Sequence, residues 1–133
     1  MRLFQVTIIV PDYDPAIAFY CGRLGFELVE DTRLSETKRW VVVSPGPGGA
    51  NLLLAKAASD EQAEAIGRQA GGRVGFFLET DDFERDHARL REAGIDFVRP
   101  PRDEAYGRVA VFRDAFGNDW DLIEPKDTRR PPR

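Results

Sequence analysis

Histidine and cysteine are nearly absent from this sequence of 133 residues, which holds one of each, His87 and Cys21. A lone cysteine cannot close an internal disulfide, and no basic N-terminal stretch leads into a long apolar run, so a reducing cytoplasm is the expected location. The longest apolar runs, such as Val41-Val42-Val43 and Leu52-Leu53-Leu54-Ala55, fall far short of the ~20 residues that cross a bilayer, which makes a membrane an unexpected partner. An excess of positive charge is also lacking. Nineteen basic residues face 23 acidic ones, and a net charge of −4 gives no global attraction for a phosphate backbone, so nucleic acid is excluded as an expected partner. A single histidine cannot build the two-His, one-carboxylate iron site of non-haem oxygenases.

What is present is ample material for one core. The chain is 42% hydrophobic with nine Phe, enough for one compact domain that buries roughly two thirds of the surface of its unfolded chain. Residues 3–10 are rich in β-branched and aromatic side chains and stop at Pro11-Asp12, which reads as a buried strand ending in a turn. A helix follows, with Asp14 as its cap, Pro15 at its first position, an apolar face of Ile17, Tyr20, Cys21 and Leu24, and Gly25 as its stop. Strands are expected at 26–30, 38–43 and 50–55, which completes a βαβββ order.

The second half repeats that order. A strand at 74–80 precedes a helix opened by Asp82, with Phe83, His87, Leu90 and Ala93 on one face and Gly94 at its end. Strands at 95–99, 108–113 and 120–124 follow, the last two joined by a turn at Gly117-Asn118. Asp12 and Asp82 lie 70 residues apart, as do Tyr13 and Phe83, whereas Gly25 and Gly94 lie 69 apart, a near-constant offset that marks a real duplication. The fold class is therefore α+β, with two βαβββ modules in tandem. Module one takes residues 1–56, a linker with a short helix capped by Ser59 and Gln62 takes 57–72, and module two takes 73–125. Together 1–125 form one domain, and 126–133, with Arg129, Arg130 and Arg133 among prolines, form a solvated tail.

Four segments carry a family likeness: Val-Pro-Asp-Tyr-Asp (10–14), Phe-Tyr (19–20), Leu-Gly-Phe-Glu-Leu (24–28) and Phe-Arg-Asp-Ala-Phe-Gly-Asn (112–118). With the doubled βαβββ order they make the chain resemble the vicinal oxygen chelate superfamily, which includes glyoxalases, bleomycin-resistance proteins and extradiol dioxygenases. The resemblance spans residues 3–124 and implies curved sheets whose concave faces form a cleft, usually completed by homodimerisation. It also implies four positions at which metal-using members place ligands. They fall here on Gln5, on Asn51 or Leu52, on Val74 or Gly75, and on Asp121. Only Gln5 and Asp121 clearly offer oxygen, with Asn51 a possible third, and such a set is too weak for zinc or for a hard cation. No cofactor is expected, and a divalent ion enters only if Gln5 and Asp121 form a weak site.

Other residues admit two readings each. Strand alternation sets Gln5 with Thr7 and Ile9, and Phe77 with Gly75 and Glu79. Glu79, among Phe76, Phe77 and Leu78, either reaches solvent or an arginine at the strand end or faces a ligand. Asp121 is either a structural acid near a hairpin or an acceptor of a ligand's hydrogen bond or proton. Trp40 is either sheet packing or the floor of a cleft, and Arg108 is either one half of a surface ion pair or a clamp for an anion. His87 and Cys21 read as packed residues of helix faces rather than as a ligand or a reactive thiol.

The function favoured by these readings is binding of a small organic molecule in an inter-module or inter-subunit cleft. Gln5, Trp40, Asn51, Phe77 and Arg108 would be its contact residues, with Glu79 and Asp121 making the cleft partly acidic, and the net acidic balance of the chain suits a cationic or polar aromatic guest. The alternative is a metal-dependent lyase or isomerase of the glyoxalase or epimerase kind, in which Asp121 or Glu79 accepts a proton.

Overall fold

A computed structural model describes residues 1–126, and the expected arginine-bearing tail lies outside the described residues. Eight strands form two four-stranded sheets of identical topology. The first contains β1 (Gln5–Val10), β2 (Glu27–Arg33), β3 (Arg39–Ser44) and β4 (Asn51–Lys56) in the order β1-β4-β3-β2. The second contains β5 (Val74–Glu79), β6 (Asp96–Glu104), β7 (Gly107–Arg113) and β8 (Asp119–Pro125) in the order β5-β8-β7-β6. In each sheet the first and last strands of the module are parallel and the other pairs antiparallel. The duplication read in the sequence is thus a duplication of strand order.

Helix α1 (Tyr13–Ile17) starts two residues earlier than expected. Asp12, not Asp14, is its cap and accepts from the Tyr13 backbone N–H at 2.8 Å, whereas Asp14 pairs with Arg39 at 2.8 Å. The helix then widens into a π-helical segment (Ala18–Arg23), in which Leu24 N–H reaches back to Phe19 O. The widening rotates the buried face. Ala16 and Phe19 join Tyr20 and Leu24 in the core, while Ile17 and Cys21, expected on that face, are only half-buried against it. Gly25, at φ +83°, ends the helix in a conformation that favours glycine.

The linker helix α2 (Asp60–Ala65) is capped as expected: Gln62 N–H donates to Ser59 Oγ, and Gln62 Oε1 accepts from Ala58 N–H. Helix α3 (Phe83–Glu92) is capped by Asp82, which accepts from Arg85 N–H, while Glu124 on β8 accepts from Phe83 N–H at 2.7 Å. Strand β6 runs on through Pro100 and Pro101 to Glu104, five residues beyond the expected end. Proline is tolerated there because β6 is an edge strand with two bulges.

The helix-covered faces of both sheets meet in one core. Ile8, Val41 and Leu54 from the first sheet share a cluster with Ala110, Phe112 and Leu122 from the second. Trp120 is the hinge of that cluster: its ring lies 4.6 Å from Phe76, 5.7 Å from Phe112, 5.9 Å from Phe26 and 6.0 Å from Tyr20, so both modules close on it. At the periphery the helix ends exchange arginines. Arg23 donates to the carbonyls of Ala93 and Gly94 at the end of α3, and Arg89 on α3 donates to Leu24 O at the end of the first helix. The back-to-back packing turns the other face of each sheet away from the core.

Candidate ligand-binding faces

On the first sheet, strand pairing sets the far face residue by residue. Gln5 lies opposite Asn51, Thr7 opposite Leu53 and Ile9 opposite Ala55, with Val42 of β3 next to Leu53. Of the two residues that the family likeness offered for the second position, Asn51 rather than Leu52 is the one opposite Gln5. Farther along it, a cavity of about 520 Å³ is lined by Thr7, Trp40, Leu53 and Ala55 and walled by Gln62 of α2 and by Tyr13. Three cations, Lys38, Arg39 and Lys56, stand around it. The linker is tied over this edge of the sheet by Gln69, whose side-chain amide donates to Thr7 O at 3.0 Å and accepts from Ile9 N–H, as a neighbouring strand would.

The far face of the second sheet carries two rows. Phe77, Asp121, Val111 and Arg99 form one, and Glu79, Ile123, Val109 and Arg102 the other. Val109 and Val111 are buried without belonging to the shared core. Phe77 is 67% exposed, large for a phenylalanine on a sheet, and Glu79 is exposed beside it. Asp121 is only 7% exposed. Burial pushes its pKa above the usual carboxylate value, and the nearby charges of Arg102 and Arg99 oppose that shift. Arg102 is itself held by Glu104 at 2.8 Å. A wider recess of about 710 Å³ separates β1 from β5 and takes in Leu3, Val6, Leu52, Phe77 and Glu79, with the Gly/Pro-rich loop after β3 along one side.

Arg108 is not on this surface. It projects on the helix side of β7, where it pairs with Asp103 at 3.1 Å and Glu84 at 2.9 Å and its guanidinium lies 5.2 Å from the Phe83 ring. The Glu84 contact is an ion pair without hydrogen-bond alignment, since the Arg108 Nε makes no aligned bond. The ion-pair reading of Arg108 is the one its placement fits. His87 stacks between Phe83, at 5.3 Å, and Phe97, at 4.4 Å, and burial lowers its pKa. Burial raises the pKa of the Cys21 thiol, the opposite of what an activated thiolate needs.

The pairing register also locates the metal-ligand positions that the family likeness implies. The residue facing Asp121 on β5 is Phe77, because Val74 pairs with Asp119 and Gly75 sits in a bulge. Neither Val74 nor Gly75 is therefore the neighbour of Asp121. One carboxylate on the second sheet and two carboxamides, Gln5 and Asn51, on the first do not fit a zinc or hard-cation site, and no group of three or more His, Cys, Asp or Glu suited to a metal occurs among the described residues.

Several contact candidates escaped the sequence. Arg99 and Arg102 flank Asp121 from β6, but the two prolines and bulges between them break the alternation that would have flagged them. Gln62, Lys38 and Lys56 reach the first-sheet cavity from segments that read as linker or strand ends. No helix among the described residues is long and apolar enough to cross a membrane.

The comparisons agree with this geometry. The family model for the Glyoxalase/Bleomycin resistance protein/Dioxygenase superfamily matches residues 2–122. An uncharacterized protein of Shewanella frigidimarina (strain NCIMB 400) is 54% identical over 127 residues, 94% of each chain. Among solved structures, UcmS2 superposes with a TM-score of 0.80 at 35% identity, covering 92% of this chain and 97% of its own. TnmS3, an antibiotic binding protein from Streptomyces sp. CB03234, superposes with a TM-score of 0.76 at 29% identity, covering 95% and 97%. Its doubled strand order, its match along nearly all its length and these likenesses together place the chain: it belongs to the Glyoxalase/Bleomycin resistance protein/Dioxygenase superfamily.

Proposed function

We propose that this protein binds a small organic molecule, without a resident metal, in a cleft assembled from the far face of sheet one in one copy and the far face of sheet two in another. Residues 1–125 act as a single domain of a homodimer, working in the cytoplasm. The observation that carries this reading is the composition of the first-sheet cavity, which draws only on module one and the linker helix. The open residues Phe77 and Glu79 belong to the other module, whose helix face shares the same core. Each chain thus offers two half-sites turned away from each other. Leu3 and Phe4, 73% and 61% exposed, give a second copy an apolar surface to cover. The likeness to an antibiotic binding protein supports a small organic ligand.

Within this cleft Trp40 would stack on the ligand, Phe77 would cover its other side, and Asp121 would accept a hydrogen bond. Gln5 and Asn51 would fix its orientation through carboxamide contacts. Arg108 has no role in this reading, since it lies across the sheet and is paired.

A second reading is favoured by one observation, the burial of Asp121, which pushes its carboxyl above the usual carboxylate range. Such an acid suits proton transfer at a carbon of the bound molecule, with Asp121 or Glu79 as acceptor. The experiment for the main reading is light scattering combined with a fluorescence screen of planar aromatic compounds. A dimer whose affinity for the compounds found, measured by calorimetry, falls clearly in Trp40→Ala and is unchanged in Arg108→Ala supports it, and a monomer, or an affinity indifferent to Trp40, overturns it.

A further inference from the structure

The polar groups around the first-sheet cavity are not of mixed character. Its lining residues include three cations and no carboxylate. Arg39 is committed: Asp31 takes it in a two-point contact at 2.7 and 3.1 Å, and Asp14 takes it at 2.8 Å. The other two are not committed in this way. Among the described residues Lys56 pairs with Asp12 alone, at 3.8 Å, with both side chains about half exposed, a contact too long for a hydrogen bond. Lys38 has no ion pair among the described residues.

The remaining polar side chains point the same way. Gln62 spends its carbonyl oxygen on Ala58 N–H, which leaves its NH₂ as the group it can offer. Thr7 and Thr37 add hydroxyls. Against these donors stands an apolar wall of Trp40, Leu53 and Ala55. An aromatic wall, a volume near 520 Å³ and a rim of donors with two weakly engaged ammonium groups form a site for a flat ring system that ends in an anion.

We infer that the module-one half-site selects planar aromatic ligands bearing a carboxylate or comparable anionic group, stacked on Trp40 with the anion held by Lys38 and Lys56. This narrows the expectation from overall composition. The acidic balance of the chain suits a cationic or polar aromatic guest, but net charge is a property of the whole surface and the cavity samples only its own rim. The inference rests on the proposed small-molecule function and narrows it to a ligand class.

The test uses three probes of one shape and different charge: 2-naphthoate, 2-naphthamide and 2-naphthylmethylammonium. Trp40 and Trp120 are the only tryptophans, and Trp120 is buried in the core, so quenching reports on Trp40. In the full-length protein, 2-naphthoate is expected to bind roughly tenfold or more tightly than the amide, and the ammonium probe most weakly. In Lys38→Gln/Lys56→Gln, both substitutions at exposed positions, that preference should vanish while the amide binds as before. Raising the salt concentration should weaken the naphthoate alone. Equal binding of all three probes, or a naphthoate preference that survives in the double variant, overturns the anion assignment and leaves small-molecule binding standing. Absence of binding by all three overturns both.

Discussion

The Tyr20 hydroxyl, in the first module, donates a 2.5 Å hydrogen bond to Asp114 of the second, 94 residues away in the chain. Asp114 is buried and accepts four further bonds, from the backbone N–H groups of Phe116 and Asn118 and from the side chains of Asn118 and Trp120. A single carboxylate therefore fixes the β7–β8 turn, orients the tryptophan at the centre of the core and ties the modules together. Its saturation with donors is what makes a buried charge tolerable there.

Removing that acceptor strands several buried donors. Asp114→Ala is expected to cost about 3–5 kcal/mol, measured by urea unfolding, whereas Tyr20→Phe, which deletes one donor and keeps the ring, should cost about 1–2 kcal/mol. The double variant should be little worse than Asp114→Ala alone. Additive losses would show that the two groups are energetically independent.

The same pair sets a pH limit. Burial, then the Asp114 charge, holds the Tyr20 pKa far above the ordinary value near 10. The folded state thus keeps a proton that the unfolded chain releases. This contribution is complete below about pH 10 and is lost as pH rises beyond the unfolded value. Stability should fall steeply above that pH in the native protein and less steeply in Tyr20→Phe. Parallel alkaline profiles for the two would remove Tyr20 from the explanation.

Asp121 should behave in the opposite manner from a structural acid. Its raised pKa means that the ionised form is disfavoured in the folded state, so the penalty is present at neutral pH and relieved as pH falls through the folded value. Asp121→Asn is expected to stabilise the fold at pH 7 by up to about 1 kcal/mol while weakening ligand binding. A drop in the urea midpoint instead would mark Asp121 as part of the scaffold.

Two linker glycines separate backbone strain from crowding. Gly67 and Gly71 both have positive φ, +73° and +66°, but a Cβ on Gly67 would lie 2.2 Å from Phe116 O, and one on Gly71 would meet nothing within 4 Å. Both alanine variants should lose about 1 kcal/mol to strain. Gly67→Ala should lose clearly more, because the linker must move off the β7–β8 turn. Equal losses in thermal unfolding would mean that this close approach carries no energy.

The duplication was readable because it is written in local chemistry. Asp82, Gly25, Gly94 and the Ser59/Gln62 capping box mark their boundaries through side-chain and backbone requirements that act within a few residues. Strand alternation likewise placed Gln5 with Thr7 and Ile9, and Phe77 with Glu79. What stayed hidden depends on tertiary contacts. The π-helical widening that exchanges Ile17 and Cys21 for Ala16 and Phe19 has no local signature. Arg108 kept two readings in the sequence, ion pair or anion clamp, because Glu84, one of its partners, lies on α3 and is distant in sequence. The cationic rim of the cavity was invisible because it is gathered from the loop before β3, from β3 itself and from the end of β4.

The central claim is that each ligand cleft is shared between two copies, and subunit mixing tests it. Trp40→Ala damages the first-sheet half and Phe77→Ala the second-sheet half, so each variant alone should bind 2-naphthoate weakly in calorimetry. If the cleft is shared, an equilibrated equimolar mixture contains heterodimers with one intact cleft and one doubly damaged, and about a quarter of the native site number should return at native affinity. A mixture that binds no better than its two components would contradict a shared cleft.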